Sequence, residues 1–342
     1  MNIIIGGDFF ISDKLKNEPD IDNSVIKLFH NADYRIIKID LVTLANNHVL
    51  DYGSVGLLNT IQSIQDNKIN YVGAGHNMEE AALFHTIKKD GLKIAILNFA
   101  ENEWSIASEK EPGANPLDII DNIAQLNVAK ATHDKVICII HGGHEYYHLP
   151  SPDMVKKYRF YANNGADAIV CHHSHCIGGY EIFNNVPIIY SLGNFIFTLP
   201  SKMDEWYLGL LITLKIEKNA PINFELHPVN QEKSTFNISL LIGSHLQETF
   251  EFIYKLNEKI SNNILLKKEW HSYIEKNHES FLRYLSPTNA IGNRFVRGFL
   301  AKVGFNKLFM NKRYLKLILN VLRCEAHWNS LIYTIKFNLI KK

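Results

Sequence analysis

The sequence predicts an α/β fold followed by a helical C-terminal region, on three observations. Short β-branched runs such as Ile3–Ile5, Val136–Ile140 and Ala168–Val170 alternate with segments whose apolar residues recur at helical spacing. Four apolar runs stop at residues able to bind a metal or move a proton: Asp8, Asn47-His48, His141 and His173-x-His175. Beyond about Leu240 the spacing is helical only, which divides the chain into 1–240 and a helical region 241–342. Ligands of open α/β sheets collect at the carboxyl ends of the strands, so the polar stops mark where chemistry is expected.

The 342 residues allow one large domain with an appendage, or two domains. Hydrophobic residues make up 46% and charged residues 21%, an ordinary globular balance. No run approaches the roughly 18 apolar residues of a membrane helix. The N-terminus enters a strand at once, without the basic and apolar regions of a signal peptide, so a cytoplasmic location is expected. Four cysteines form no CxxC pair and read as free thiols. The net charge of +1 conceals an asymmetry: residues 281–342 carry twelve Lys/Arg against the single acid Glu325.

Taken in order, Asn2-Ile-Ile-Ile-Gly-Gly-Asp8 is a core strand ending in glycines and an acid, where Asp8 either binds metal or caps the next element. A helix follows over Ile21–Asn31. Tyr34–Ala45 is apolar and β-branched but too long for one strand, and it stops at Asn46-Asn47-His48. That stop is either a ligand and proton-donor group or an Asn-rich turn. A helix over Val55–Asn67, a short strand at Ile69–Val72 and a hairpin turning at Asp90-Gly91 come next. Residues 100–116, with two prolines, read as a loop bordering the site. The helices at 117–132 and 151–164 flank the strand Lys135–Ile140, and Ser151-Pro152 is an N-cap with proline at the first helical position. The strand 165–170 ends in Cys171-His-His-Ser-His175, where His173 and His175 on extended backbone point the same way and His172 points opposite.

The motifs GGD, LANNHVLDYG, YVGAGHN, HGGHEYY, GADAIVCHHSH and PIIYSLGNFIF, in that order over about residues 1–230, resemble the CapA (poly-γ-glutamate capsule synthesis) family. That family is a branch of the calcineurin-like metallophosphoesterase superfamily, so the resemblance implies a four-layer α/β/β/α sandwich. It also implies Asp8, Asn47, His141, His173 and His175 as ligands of one or two divalent ions (Mn, Fe or Zn). His48 would be a proton donor or phosphoryl clamp oriented by Asp51, with Glu145, Tyr146 and Asn194 at the substrate site. For Tyr190, Ser191 and Asn194, packing is the equal alternative.

The sequence departs from that family in two places. An Asn-Leu-Glu segment expected before LANNH is missing near residues 37–38, where two strand sequences run together. Its glutamate would help hold the metals, so one ion, or a weak second, is expected. Asp33 and Asp40 are the acids left nearby. Cys171 replaces a glycine and would crowd the turn or add a soft ligand. The function implied is metal-dependent hydrolysis of phosphoesterase type in capsule, poly-γ-glutamate or cell-surface polysaccharide biosynthesis. The alternative is a non-catalytic accessory protein that binds an anionic polymer. Nucleic acid is not an expected partner. The basic tail, with Trp328, Tyr333 and Phe337 at near-helical spacing, is either a solvated cap or a peripheral contact with the inner membrane.

Overall fold

A computed structural model describes the chain apart from residues 13–14, 16–18, 37–39, 285–287, 289–290, 304, 306–310, 325–330, 332–333 and 336–342. The order begins β1 (Asn2–Ile5), β2 (Asp8–Phe10), α1 (Asn23–Asn31), β3 (Tyr34–Ile36), β4 (Leu41–Thr43), α2 (Gly53–Asp66), β5 (Asn70–Val72) and β6 (Ala74–Gly75). Next come α3 (Met78–Ala81), β7 (His85–Lys89), β8 (Leu92–Ala100), β9 (Gly113–Ala114), α4 (Ile119–Thr132), β10 (Lys135–His141), α5 (Pro152–Asn163) and β11 (Ala168–His172). The unit continues through β12 (Tyr180–Phe183), β13 (Val186–Ile189), β14 (Asn194–Phe197), β15 (Leu208–Lys215), β16 (Asn223–Gln231), β17 (Ile238–Leu240) and α6 (Gly243–Ser261). The helices α7 (Asn263–Tyr284), α8 (Arg294–Lys302) and α9 (Lys312–Arg323) complete the described elements.

Strand alternation builds the layers. One sheet runs β17-β16-β15-β1-β3 and the other β12-β13-β11-β10-β8-β7, with parallel pairing from β13 through β8. Ile3, Ile5 and Ile36 of the first sheet meet Ile94, Ile96, Ile137, Ile139 and Val170 of the second in one buried cluster. The neighbours that point the other way face helices. Ile4 and Leu211 pack with Val25 and Phe29 of α1, while Val136, Cys138 and Ile169 pack with Leu126, Val155, Tyr158 and Tyr161 of α4 and α5. Helix, sheet, sheet, helix is thus the layer order, as the resemblance implies.

Local signals hold where side-chain chemistry fixes the backbone. Asp90 and Gly91 both take positive φ, +51° and +75°, and join β7 to β8 as an antiparallel hairpin. Ser151 accepts from the Met154 N–H and starts α5 ahead of Pro152. The over-long run at 34–45 divides: β3 pairs with β1, and β4 pairs with β5 in a separate two-stranded sheet.

The first compact unit is Met1–Lys268, so it runs past the change of periodicity at 240. It takes in α6 because Ile253, Leu256 and Ile260 enter the buried clusters and Asn257 accepts from the Tyr180 N–H at 2.7 Å. The second unit, Glu269–Lys342, holds α8 and α9. Trp328, Tyr333 and Phe337 of the basic tail lie outside the described residues.

Candidate metal centre

Asp8 is delivered by a close backbone approach. A side chain on Gly7 would put its Cβ 2.1 Å from the Gly193 carbonyl oxygen, so only glycine lets β2 lie against β14. Asp8 N–H donates to that same oxygen at 2.9 Å, and Asp8 pairs with Asn194 across the two strands. Four strand ends thereby converge. The Asp8 carboxylate accepts from the His173 N–H at 3.0 Å. It also stands 3.6 to 3.9 Å from the Nδ1 atoms of His141, His172 and His175.

Asn47 Oδ1 lies 3.0 Å from His141 Nε2, and His141 Nε2 lies 3.1 Å from His173 Nδ1. Ligands bound to one ion at about 2.0–2.2 Å stand roughly 3 Å apart, so these three atoms have the separations of a coordination sphere. His175 Nδ1 meets Asn194 Oδ1 at 2.9 Å, and the Asn194 amide donates to the Trp206 carbonyl at 3.0 Å. An Nδ1–H held this way leaves Nε2 as the lone pair, the usual arrangement behind a metal-binding imidazole. Asn194 is buried, with both ends of its amide engaged inside the protein.

The electrostatics suit a cation. Burial pushes His141 down to about 3, which keeps the imidazole neutral and its lone pair available. Burial lowers His172 as well. For Asp8 burial alone would raise the pKa, but the imidazoles of His141, His172 and His175 and the His173 N–H outweigh it and hold the carboxyl below its ordinary range. His172 Nε2 is buried with no hydrogen-bond partner among the described residues, an orphan that calls for water or an ion.

The histidine triplet differs from its expected geometry. β11 ends at His172, and His173 and His175 take φ of +98° and +55° rather than extended values. Left-handed backbone at two non-glycine residues is strained, and here it brings the His175 ring and the His173 N–H to Asp8 while the His173 ring meets His141. His172, expected to point away, also faces Asp8. Cys171 is buried in the cluster that holds Tyr158, Tyr190 and Ile188, and burial pushes its thiol up, away from the thiolate form.

His48 and Asp51 sit outside this buried cluster. His48 Nδ1 lies 2.9 Å from Asp51 Oδ2, with the two side chains 63% and 56% exposed. The segment is anchored from within the fold: Asn98, fully buried, accepts from the Ala45 N–H and donates to the Ile139 carbonyl, and Ser105 donates to the Asn46 carbonyl. Tyr146, at φ +61°, stacks near His175 and Trp206 and is half-exposed, and Glu145 is exposed beside it.

Two residues escape the sequence reading. Glu101 and Glu103 each offer a carboxylate oxygen that, with a His173 nitrogen, forms a group of ligand atoms all within 4.8 Å of one another. Burial raises the Glu101 pKa, and the His173 charge, the Gly143 N–H and Lys157 partly offset it. The signal was available, because Glu101 is where β8 stops, beside His141 on β10. Asn98 obscures it by interrupting the apolar run, so the strand reads as 92–98 and ends two residues early. Asp33 and Asp40 are engaged elsewhere. Asp33 accepts from the Asn2 N–H at the far end of β1, and Asp40 pairs with Arg35 ahead of β4.

The family model for "Bacterial capsule synthesis protein PGA_cap" matches residues 25–199. A capsule biosynthesis protein CapA of Bacillus anthracis is 33% identical over 163 residues, 46% of this chain and 40% of that protein. The PGA biosynthesis protein CapA of Bacillus subtilis is 29% identical over 230 residues, 64% of this chain and 59% of that protein. A probable polyglutamine synthesis accessory protein of Mycobacterium tuberculosis is 28% identical over 164 residues, 44% of this chain and 43% of that protein. The matched part is therefore less than two thirds of each relative's own length. Since the family model spans more than half of the sequence and takes in His48, His141 and His173, the chain belongs to the bacterial capsule synthesis protein PGA_cap family.

Proposed function

We propose that Asp8, Asn47, His141, His173 and His175 hold a divalent metal and that the protein is a metal-dependent hydrolase of phosphoesterase type. It would act on a phosphate ester or a charged polymer during capsule or poly-γ-glutamate synthesis. The observation that carries this reading is the approach of Asn47 Oδ1, His141 Nε2 and His173 Nδ1 to 3.0–3.1 Å beside a buried carboxylate. The mixed oxygen and nitrogen donors suit Mn, Fe or Zn. Such an ion supplies Lewis acidity and an acidified water.

The protein's own groups do the rest. Asp51, accepting from Nδ1–H, orients the His48 ring, which in its imidazolium form carries the second proton on Nε2 and passes it to the leaving oxygen. Asn194 holds the ring of His175 in register. Tyr146 and Glu145, exposed on the loop after His141, contact substrate at the rim. The test is hydrolysis of an aryl phosphodiester by the full chain. Turnover present in the wild type and reduced about 100-fold or more in His48→Ala, with metal content unchanged, supports the hydrolase. Metal without turnover favours the second reading, a polymer-binding accessory protein, for which the missing Asn-Leu-Glu segment and the name of the mycobacterial relative speak.

Among the described residues no helix is long and apolar enough to cross a membrane. We further propose that the basic region from 281 onward contacts an anionic membrane surface. Binding to anionic liposomes that is lost on deleting 312–342 supports the contact, and unchanged binding sinks it.

A further inference from the structure

We infer that Glu101, assisted by Glu103, is a metal ligand that supplies at the end of β8 the negative charge the missing Asn-Leu-Glu segment would have brought. The inference rests on the metal-centre reading above. Its starting point is charge. The strand-end cluster holds one carboxylate, Asp8, among imidazoles and an amide, none of which brings negative charge. A pair of divalent cations about 3.5–4 Å apart needs more negative charge than one carboxylate provides. The acids nearest the shortened segment cannot help, since Asp33 and Asp40 lie at the opposite ends of their strands.

Glu101 lies at the right end. It follows Ala100, which pairs with His141, and its N–H donates to the His141 carbonyl at 3.0 Å. A built seat receives its side chain. A Cβ on Gly142 would stand 2.6 Å from Glu101 Cγ and 3.1 Å from Oε1, and the Gly143 N–H donates to Oε1 at 3.1 Å. The two glycines after His141 therefore have a physical reason: one clears room for this carboxylate and the other holds it. A carboxylate accepts up to about four hydrogen bonds or metal contacts, so one backbone donor leaves most of its capacity unused. His173 belongs to both groups, facing His141 through Nδ1 and lying within 4.8 Å of the glutamate oxygens through a ligand nitrogen. Glu103 is exposed and joins from the mouth, its N–H bonded to the Glu101 carbonyl at 2.9 Å.

The test is Mn²⁺ binding by the full chain after chelator treatment, read by calorimetry and by metal analysis after gel filtration. Glu101→Gln keeps an oxygen for the Gly143 N–H and so leaves the metal-free fold intact, checked by an unchanged Tm. Expected is loss of the weaker Mn²⁺, or at least a tenfold rise in Kd, as removal of a group supporting a metal costs about 10- to 100-fold. Gly142→Ala, which displaces the same side chain, has the same effect, and Glu103→Gln a smaller one. Wild-type Mn²⁺ binding that Glu101→Gln leaves unchanged overturns the inference and leaves the metal-centre reading standing. A wild type that binds neither Mn²⁺ nor Zn²⁺ overturns both.

Discussion

Asp8 reaches its partners only because Gly7 has no side chain. Gly7→Ala drives a Cβ into the Gly193 carbonyl, so β2 must move off β14 and take Asp8 with it. The expected result is a loss of about 1–3 kcal/mol of stability, the usual cost of overpacking, together with weakened metal binding. Urea unfolding and metal titration of the same variant check both parts. Asn194→Ala acts more narrowly. It removes the oxygen that holds His175 Nδ1, and metal affinity should fall about 10- to 100-fold while the chain stays folded. Unchanged affinity would show that packing against Trp206 and Phe197 alone orients His175.

Between elements, the helix α5 is fastened to the second sheet by charge as well as by its apolar face. Arg159 donates to Glu181 of β12 through Nε at 3.0 Å and Nη2 at 2.6 Å, and Tyr190 donates to the same carboxylate at 2.6 Å. Glu181→Ala leaves a partly buried guanidinium and a buried phenol without that acceptor. The expected loss is about 2–3 kcal/mol, read by urea unfolding, with metal content unchanged because no centre residue is touched.

For the whole molecule, acid should weaken the fold from about pH 6.5 downward, through its buried and half-buried histidines. His85, His133 and His227 are each held below the ordinary imidazole value by burial. Unfolded, they take up protons near about 6.5, so below that pH the unfolded chain binds more protons than the folded one. Stability is therefore full above that pH and falls as pH falls. The metal-free protein should show a lower Tm at about pH 5.5 than at about pH 7, with the difference reduced when the three histidines are replaced by glutamine. A Tm flat across that window would contradict the assignment.

At this scale the limits of the sequence are also physical. Asp8, His141 and His173 were legible because buried apolar runs halt at or just before them, but the uniformly apolar runs Ile3–Ile5 and Val136–Ile139 do not say which residue faces which layer. Glu101 was hidden by Asn98, a polar residue whose amide is satisfied inside the fold and which therefore does not end its strand. The left-handed turns at His173 and His175 were hidden too, because strain imposed by long-range packing leaves no local composition signal. The split of 34–45 into two sheets followed from pairing partners far along the chain, β1 and β5.

The metal content of the purified full chain, by elemental analysis beside His141→Ala, tests the central claim most directly. The expected result is at least about one equivalent of Mn, Fe or Zn in the wild type and its loss in the variant. Metal well below about half an equivalent, not restored by adding Mn²⁺ or Zn²⁺, would contradict a metal centre at these strand ends.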